Sequence, residues 1–200
     1  MSPRLRKAED ADVFAAMVRV MLRVGPEELT LAAIAREAGI TAGALVQRFG
    51  SKRELMQAHA RHAGTTLDIG FGPPGRRTKS ALSAIHEGAQ AYAQLAQSPR
   101  AALRNLAYLQ RDLADSALRR NLLRLHRAAR VHYEQLIAEA IGEGDLRADT
   151  DVRGLARTIE VILGGSFLAW TLYRQGRASA WLSQDLDAAL RPYLTGDSRK

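Results

Sequence analysis

The chain has no cysteine among its 200 residues. That excludes disulfides, thiolate catalysis and cysteine-held metals, and it leaves the compartment open. Signatures of common enzymes are also missing. There is no G-x-S-x-G, no P-loop, no dinucleotide-binding glycine pattern and no H-E-x-x-H. Of the five histidines, His59 and His62 stand three apart on one expected helix. No carboxylate cluster accompanies them, so no metal site and no cofactor are expected. Residues 4 to 12 are mostly charged, which does not fit a signal peptide. The longest apolar stretch, around Val161 to Leu172, is interrupted by Gly164, Gly165 and Ser166 and falls short of a bilayer span. No membrane partner is expected, and the protein reads as cytoplasmic. No strand pattern, repeat or low-complexity segment is visible.

What the chain does have is apolar content and basic charge. Hydrophobic residues make up 46%, enough for a real core, and the net charge of +8 favours an anionic partner. Many of the arginines lie beyond residue 100, so the charge is not confined to one end.

Leu29 to Leu55 is the most informative stretch. Leu31, Ile34, Ala35 and Ala38 recur at helical spacing. Gly39 then ends a helix where a positive φ costs glycine least. Ile40 plugs the turn, and Thr41 is placed to N-cap a second helix. Leu45 and Phe49, four apart, face inward. Ala42, Gly43, Val46 and Gln47 are left outward, small or neutral, so no acid faces a phosphate. Gly43 costs about 1 kcal/mol against alanine in a helix, acceptable where another backbone approaches closely. Two short helices with this turn form a helix-turn-helix, whose second helix enters the major groove. The plainer reading is a three-helix fragment of an ordinary α core. Turn, cap, plug and small outward face falling in register argue against it.

The chain here resembles the TetR family of bacterial transcription regulators. Thr30, Leu31, Ile34, Ala35, Ala38, Gly39, Ile40, Thr41, Gly43, Leu45, Phe49, Ser51, Lys52 and Leu55 stand where that family's pattern has matching residues. Val46 replaces a usual tyrosine, and Arg48 a usual histidine or tyrosine. The resemblance covers about the first third of the chain. It implies an all-α fold: a three-helix DNA-binding domain over residues 1–66, then a helical bundle over 67–200 for ligand binding and dimerisation. The expected base-edge residues are Ala42, Gly43, Ala44 and Gln47, with Thr41 and Val46 beside them. Thr30, Arg48 and Lys52 are expected at phosphates.

Helices are expected almost throughout: about 9–24, the pair within 29–49, 51–67 with a Ser51/Glu54 capping box, 80–97, 99–112, 116–141, 151–174 and 180–194. Residues 1–8 form a basic arm, and Gly70 to Arg77 is a Gly/Pro-rich connection. In the 151–174 helix, Leu155, Ile159, Ile162, Leu163, Phe167, Trp170 and Tyr173 cover more than one face, so both sides need burial. With the resemblance, this implies a two-fold dimer through the last two helices, with Ile159, Leu163, Gly165, Phe167 and Trp170 at the interface. An internal helix with glycines beside a cavity is the alternative.

The resemblance further implies a small-molecule effector within the bundle. The candidate lining is Leu82, Ile85, Tyr92, Tyr108, Leu122, His126, Tyr133, Leu136 and Phe167, mainly apolar with few polar groups. Ordinary half-buried histidines and tyrosines remain the other reading of the polar members. The helix from Ser51 is expected to link head and bundle. The functional expectation is a sequence-specific regulator, not an enzyme, acting as a repressor released from a palindromic operator by a hydrophobic or amphipathic ligand. An activator, a repressor without a ligand, and an all-α enzyme or ligand carrier with a structural helix-turn-helix stay open.

Overall fold

Local sequence signals set the helix boundaries. In this computed structural model, residues 9–66 and 80–196 are described. The basic arm of residues 1–8 and the Gly70–Arg77 connection lie outside them. The described residues form nine α-helices: α1 Asp10–Met21, α2 Leu31–Ala38, α3 Ala42–Phe49, α4 Lys52–Thr66, α5 Ala81–Ala93, α6 Pro99–Ala114, α7 Ser116–Gly142, α8 Val152–Tyr173 and α9 Ala178–Leu190. None of them is in a strand; an isolated bridge joins Leu146 and Leu194.

The caps explain these limits. Thr30 Oγ1 accepts from Ala33 N, and Thr41 Oγ1 from Ala44 N, each at 3.1 Å. Gly39 sits at φ 70° between the two helices. Ser51 and Glu54 form the reciprocal box that opens α4, with Ser51 N donating to Glu54 Oε2 at 2.8 Å and Glu54 N to Ser51 Oγ at 3.2 Å. Ser98 caps α6 ahead of Pro99, and Asp151 caps α8. Two ends differ from the sequence reading. α1 stops at Met21 because residues 22–24 turn before Gly25. α9 passes at Pro192 into a short 3₁₀ turn, Arg191–Tyr193.

Two compact units result. One contains the residues up to His62 together with Leu103–Leu122; the other contains Ala63–Ala102 and the residues from Leu123 onward. The chain thus passes between them within α4, α6 and α7. The head's unit takes in residues 103–122, which sequence order places in the bundle. The cause is apolar packing: Tyr108 of α6 and Leu118 of α7 join Val13, Phe14, Met17, Leu29, Ile34, Leu45, Leu55 and Met56 in one buried cluster. Polar contacts reinforce it. Arg104 donates to Leu22 O at 2.6 Å, and Tyr108 Oη to Val24 O at 3.2 Å.

In the second unit, Ile85, Ala89, Leu125, Ala129, Tyr133, Leu136, Ile137, Leu155, Ile159, Leu163, Leu182 and Leu186 form the core. Gly88 is required there, since a Cβ on it would stand 2.8 Å from Tyr133 Oη. At 22 residues α8 is long and apolar enough to cross a membrane by length and composition, longer than the interrupted stretch suggested. Leu155, Ile159, Leu163, Phe167 and Trp170 are instead buried against the chain's own core side.

Candidate nucleic-acid interface

α3 is held from below and presents its other side to solvent. Leu45 is fully buried and Phe49 partly so, whereas Thr41, Gly43, Ala44, Val46, Gln47 and Arg48 are exposed and Ala42 is half-exposed. Val46 is the large apolar side chain of this surface, 50% exposed. A Cβ on Gly43 would meet only Thr41 Oγ1, at 3.9 Å. Packing within the chain therefore gives no reason for a glycine at this position.

The basic residues around α3 are engaged by the chain itself. Arg48 pairs with Asp10 at the start of α1, and its guanidinium lies over the Phe49 ring, 5.4 Å from the centroid. Arg19 and Arg23 both bind Glu37, whose carboxyl they hold below its ordinary range. Lys52 departs from its expected role. Its Nζ donates to Leu29 O at 2.8 Å, with Pro26 O at 3.4 Å, so its ammonium braces the segment leading into Thr30. Thr30 is exposed, and its hydroxyl oxygen is the cap acceptor of α2.

His59 and His62 flank Phe14, with ring centroids 5.6 and 5.1 Å away. Burial lowers the His59 pKa to about 4. Among the described residues no histidine, aspartate or glutamate group is arranged to hold a metal.

The expected effector residues do not all come together. Tyr108 and Leu122 belong to the head's unit, a correction for both, because the second half of α6 and the start of α7 pack there. Leu82, Ile85, Tyr92, His126, Tyr133, Leu136 and Phe167 all lie in the bundle unit. Tyr92 meets Phe167 edge-on at 5.8 Å, and burial raises the pKa of the Tyr92 phenol, with Glu160 adding to the effect. Glu160 accepts from His126 Nδ1 at 3.0 Å and from Arg130 Nε at 2.8 Å. Sequence reasoning missed Glu160 and Arg130. The signal was available: Glu160 is the one acid within the apolar run of α8.

The interface residues also need correction. Ile159, Leu163, Phe167 and Trp170 are buried inside the chain and unavailable to a partner. The outward side of α8 carries Val161, Leu168 and Leu172 instead, 63%, 48% and 71% exposed, together with Gly165. The wide apolar arc is real, but its inner half belongs to the chain's own core. A Cβ on Gly164 or Gly165 would meet nothing within 4 Å. Gly165 lines an open groove of about 450 Å³ with Val161, Ile162, Ser166, Asp185, Ala188 and Ala189. Ser166 Oγ donates to Asp185 Oδ2 there at 2.5 Å.

Known proteins share this architecture. The family model for bacterial regulatory proteins of the tetR family matches residues 13–59, and that for tetracyclin repressor-like C-terminal domains matches residues 110–186. Among curated protein sequences none matches. Among solved structures, a TetR transcription regulator from Haloarcula marismortui is similar at 16% identity and TM-score 0.69, covering 93% of this chain and 98% of that one. The regulator FadR of Bacillus subtilis, in complex with stearoyl-CoA, is similar at 17% identity and TM-score 0.64, with 90% and 97% covered. NalD, the secondary repressor of the MexAB-OprM multidrug efflux pump of Pseudomonas aeruginosa, is similar at 20% identity and TM-score 0.55, with 94% and 98% covered. With the helix-turn-helix, its exposed second helix and the bundle in place, this chain belongs to the TetR family of bacterial transcription regulators.

Proposed function

We propose that the protein is a cytoplasmic, two-fold dimeric repressor that leaves a palindromic operator when a small amphipathic ligand enters the bundle unit. The observation that carries the DNA reading is α3: small exposed residues with Gln47 among them, on a helix whose glycine its own chain does not require. Ala42, Gly43, Ala44 and Gln47 approach base edges, with Thr41 and Val46 beside them. Thr30 and Arg48 reach phosphates, and Lys52 holds the approach to α2 in place. The exposed apolar side of α8 supports the dimer, since Val161, Leu168 and Leu172 beside Gly165 suit a second copy of the same surface.

The polar row of Tyr92, Tyr133, His126 and Glu160 within the apolar bundle supports a ligand with one polar end. Stearoyl-CoA, bound by the similar Bacillus subtilis regulator, has that character. α6 offers the route of control, because one continuous helix contributes its first residues to the bundle unit and Tyr108 to the core of the head. Only a ligand with different affinity for the bound and released states can shift the equilibrium. The test selects bound duplexes from a random pool, then titrates the operator complex with saturated acyl ligands. A palindromic consensus and release by a ligand that itself binds more weakly to the DNA complex are expected. Selection of no consensus would refute the DNA reading. A ligand that binds without changing operator affinity would refute the switch.

A further inference from the structure

The basic surplus is not where the recognition helix is. Residues 9–62 contain seven basic and seven acidic side chains and are electrically balanced. Between Arg100 and Tyr133, eight arginines stand against two aspartates, Asp112 and Asp115. Five of those arginines, at 119, 120, 124, 127 and 130, lie on α7, all exposed, with no acid on that helix before Glu134.

Their spacing makes a surface. Steps of four, three and four residues put Arg120, Arg124, Arg127 and Val131 within an arc of about 60° on an α-helix. The buried Leu118, Leu125, Ala129 and Leu136 lie on the opposite side. From Arg120 to Arg127 the rise is about 10 Å. At about 3.4 Å of axis per phosphate along one strand, that length spans roughly three phosphates. Guanidinium forks suit phosphate oxygens better than ammonium groups do.

We infer that this outward face of α7 binds the phosphate backbone of duplex DNA, independently of base sequence and in addition to α3. Two observations favour DNA over a lipid surface. An interfacial helix needs a broad apolar face to insert, and the apolar face of α7 is already buried in the protein's own cores. The family's partner is also duplex DNA, a polyanion of high charge density.

The experiment uses the full chain and a non-operator duplex, with affinity measured by fluorescence anisotropy between 50 and 200 mM salt. Replacing Arg120, Arg124 and Arg127 together by Gln should reduce the slope of log K against log salt by about 0.9 per lost contact, up to about 2.7. At the low-salt end, affinity should fall on the order of tenfold. The same three positions as Lys should keep most of the slope, which also guards against a misfolded glutamine variant. Replacing exposed Arg153, Arg177 and Arg191 by Gln removes equal charge and should leave the slope close to the parent's. An unchanged slope in the α7 glutamine variant overturns the inference, as does an equal fall in the control. Loss of binding to anionic phospholipid vesicles with the DNA slope intact overturns it in favour of a membrane. The sequence consensus should be the same in parent and variant; a changed consensus means the face reads bases, contrary to the inference. A parent protein with no consensus but with the arginine-dependent slope would sink the α3 reading and leave this one standing.

Discussion

Asp115 and Arg53, 62 positions apart, tie the start of α7 to the start of α4. Arg53 Nε donates to Asp115 Oδ2 at 2.7 Å. The other oxygen, Oδ1, accepts from Ala117 N at 2.8 Å and Leu118 N at 3.1 Å, so the same carboxylate caps α7. These bonds, led by that from Arg53, hold the Asp115 pKa at about 2. Lys52 and Arg53, neighbours in sequence, thus brace the head in two directions: one toward the segment before α2, the other toward α7.

The first prediction separates the two jobs of Asp115. Asp115→Ala should lower the unfolding free energy by about 1 kcal/mol, the usual cost of a lost cap. Arg53→Gln should cost no more than a few tenths, because its partner is a surface ion pair. Urea denaturation at neutral pH reads both. The Asp115 pKa is depressed from its ordinary 3.8, so its contribution is present above that value and fades as pH falls toward 2. Equal losses in the two variants would show that the cap contributes nothing beyond the pair.

Asp112 behaves in the opposite sense. It lies on α6 in the head's unit, and its Oδ1 is buried without a hydrogen-bond partner. Burial raises its pKa to about 6, against an opposing pull from Arg111 and a reinforcing push from Asp115. A carboxyl raised in the folded state costs stability once ionised, with the loss developing between about pH 4 and 6. Asp112→Asn should therefore be more stable than the parent at pH 7.5, by about 1 kcal/mol after allowance for its partial exposure, and should gain nothing at pH 4. Thermal unfolding at the two pH values checks this; a gain of equal size at both would contradict it.

Gln47 is the amide on the exposed side of α3, able to pair bidentately with adenine. Gln47→Ala should cost about 1–3 kcal/mol at one base position and relax the preference there. Selection from a random pool before and after the change gives the comparison. An identical consensus would remove Gln47 from base reading.

The dimer prediction rests on open space. An arginine at Gly165 meets no chain atom near its Cβ, so the subunit should fold as before. It would, however, put a charge into the groove between α8 and α9. Sedimentation of Gly165→Arg should show monomer or a dimer weakened at least tenfold, with the helical circular dichroism unchanged. A fully dimeric variant would place the interface elsewhere.

The helices and their caps were legible because they depend on neighbours within a few residues. Thr30, Thr41, Ser51 with Glu54, and Asp151 each satisfy backbone groups three positions away, and Gly39 supplies the left-handed turn alone. Pairings such as Arg48 with Asp10 and Glu160 with Arg130 were not legible, since charged residues are common and any of several partners satisfies the local rules. Tyr108 was assigned to the bundle for the same reason: its helix is apolar along much of its length, and only packing decides which cluster takes which turn.

α8 marks the boundary between the two kinds of information. Its sequence determines a long helix, apolar over too wide an arc for one neighbour, with small residues midway. Nothing in that pattern says which half of the arc faces inward, because hydrophobic burial is non-directional and Leu163 and Leu168 satisfy it equally well. The tertiary structure decides it. α5 and α9 cover Ile159, Leu163 and Phe167, leaving Val161, Leu168 and Leu172 to solvent. Periodicity determined the helix; the choice of face depended on which neighbouring helices the rest of the chain could bring against it.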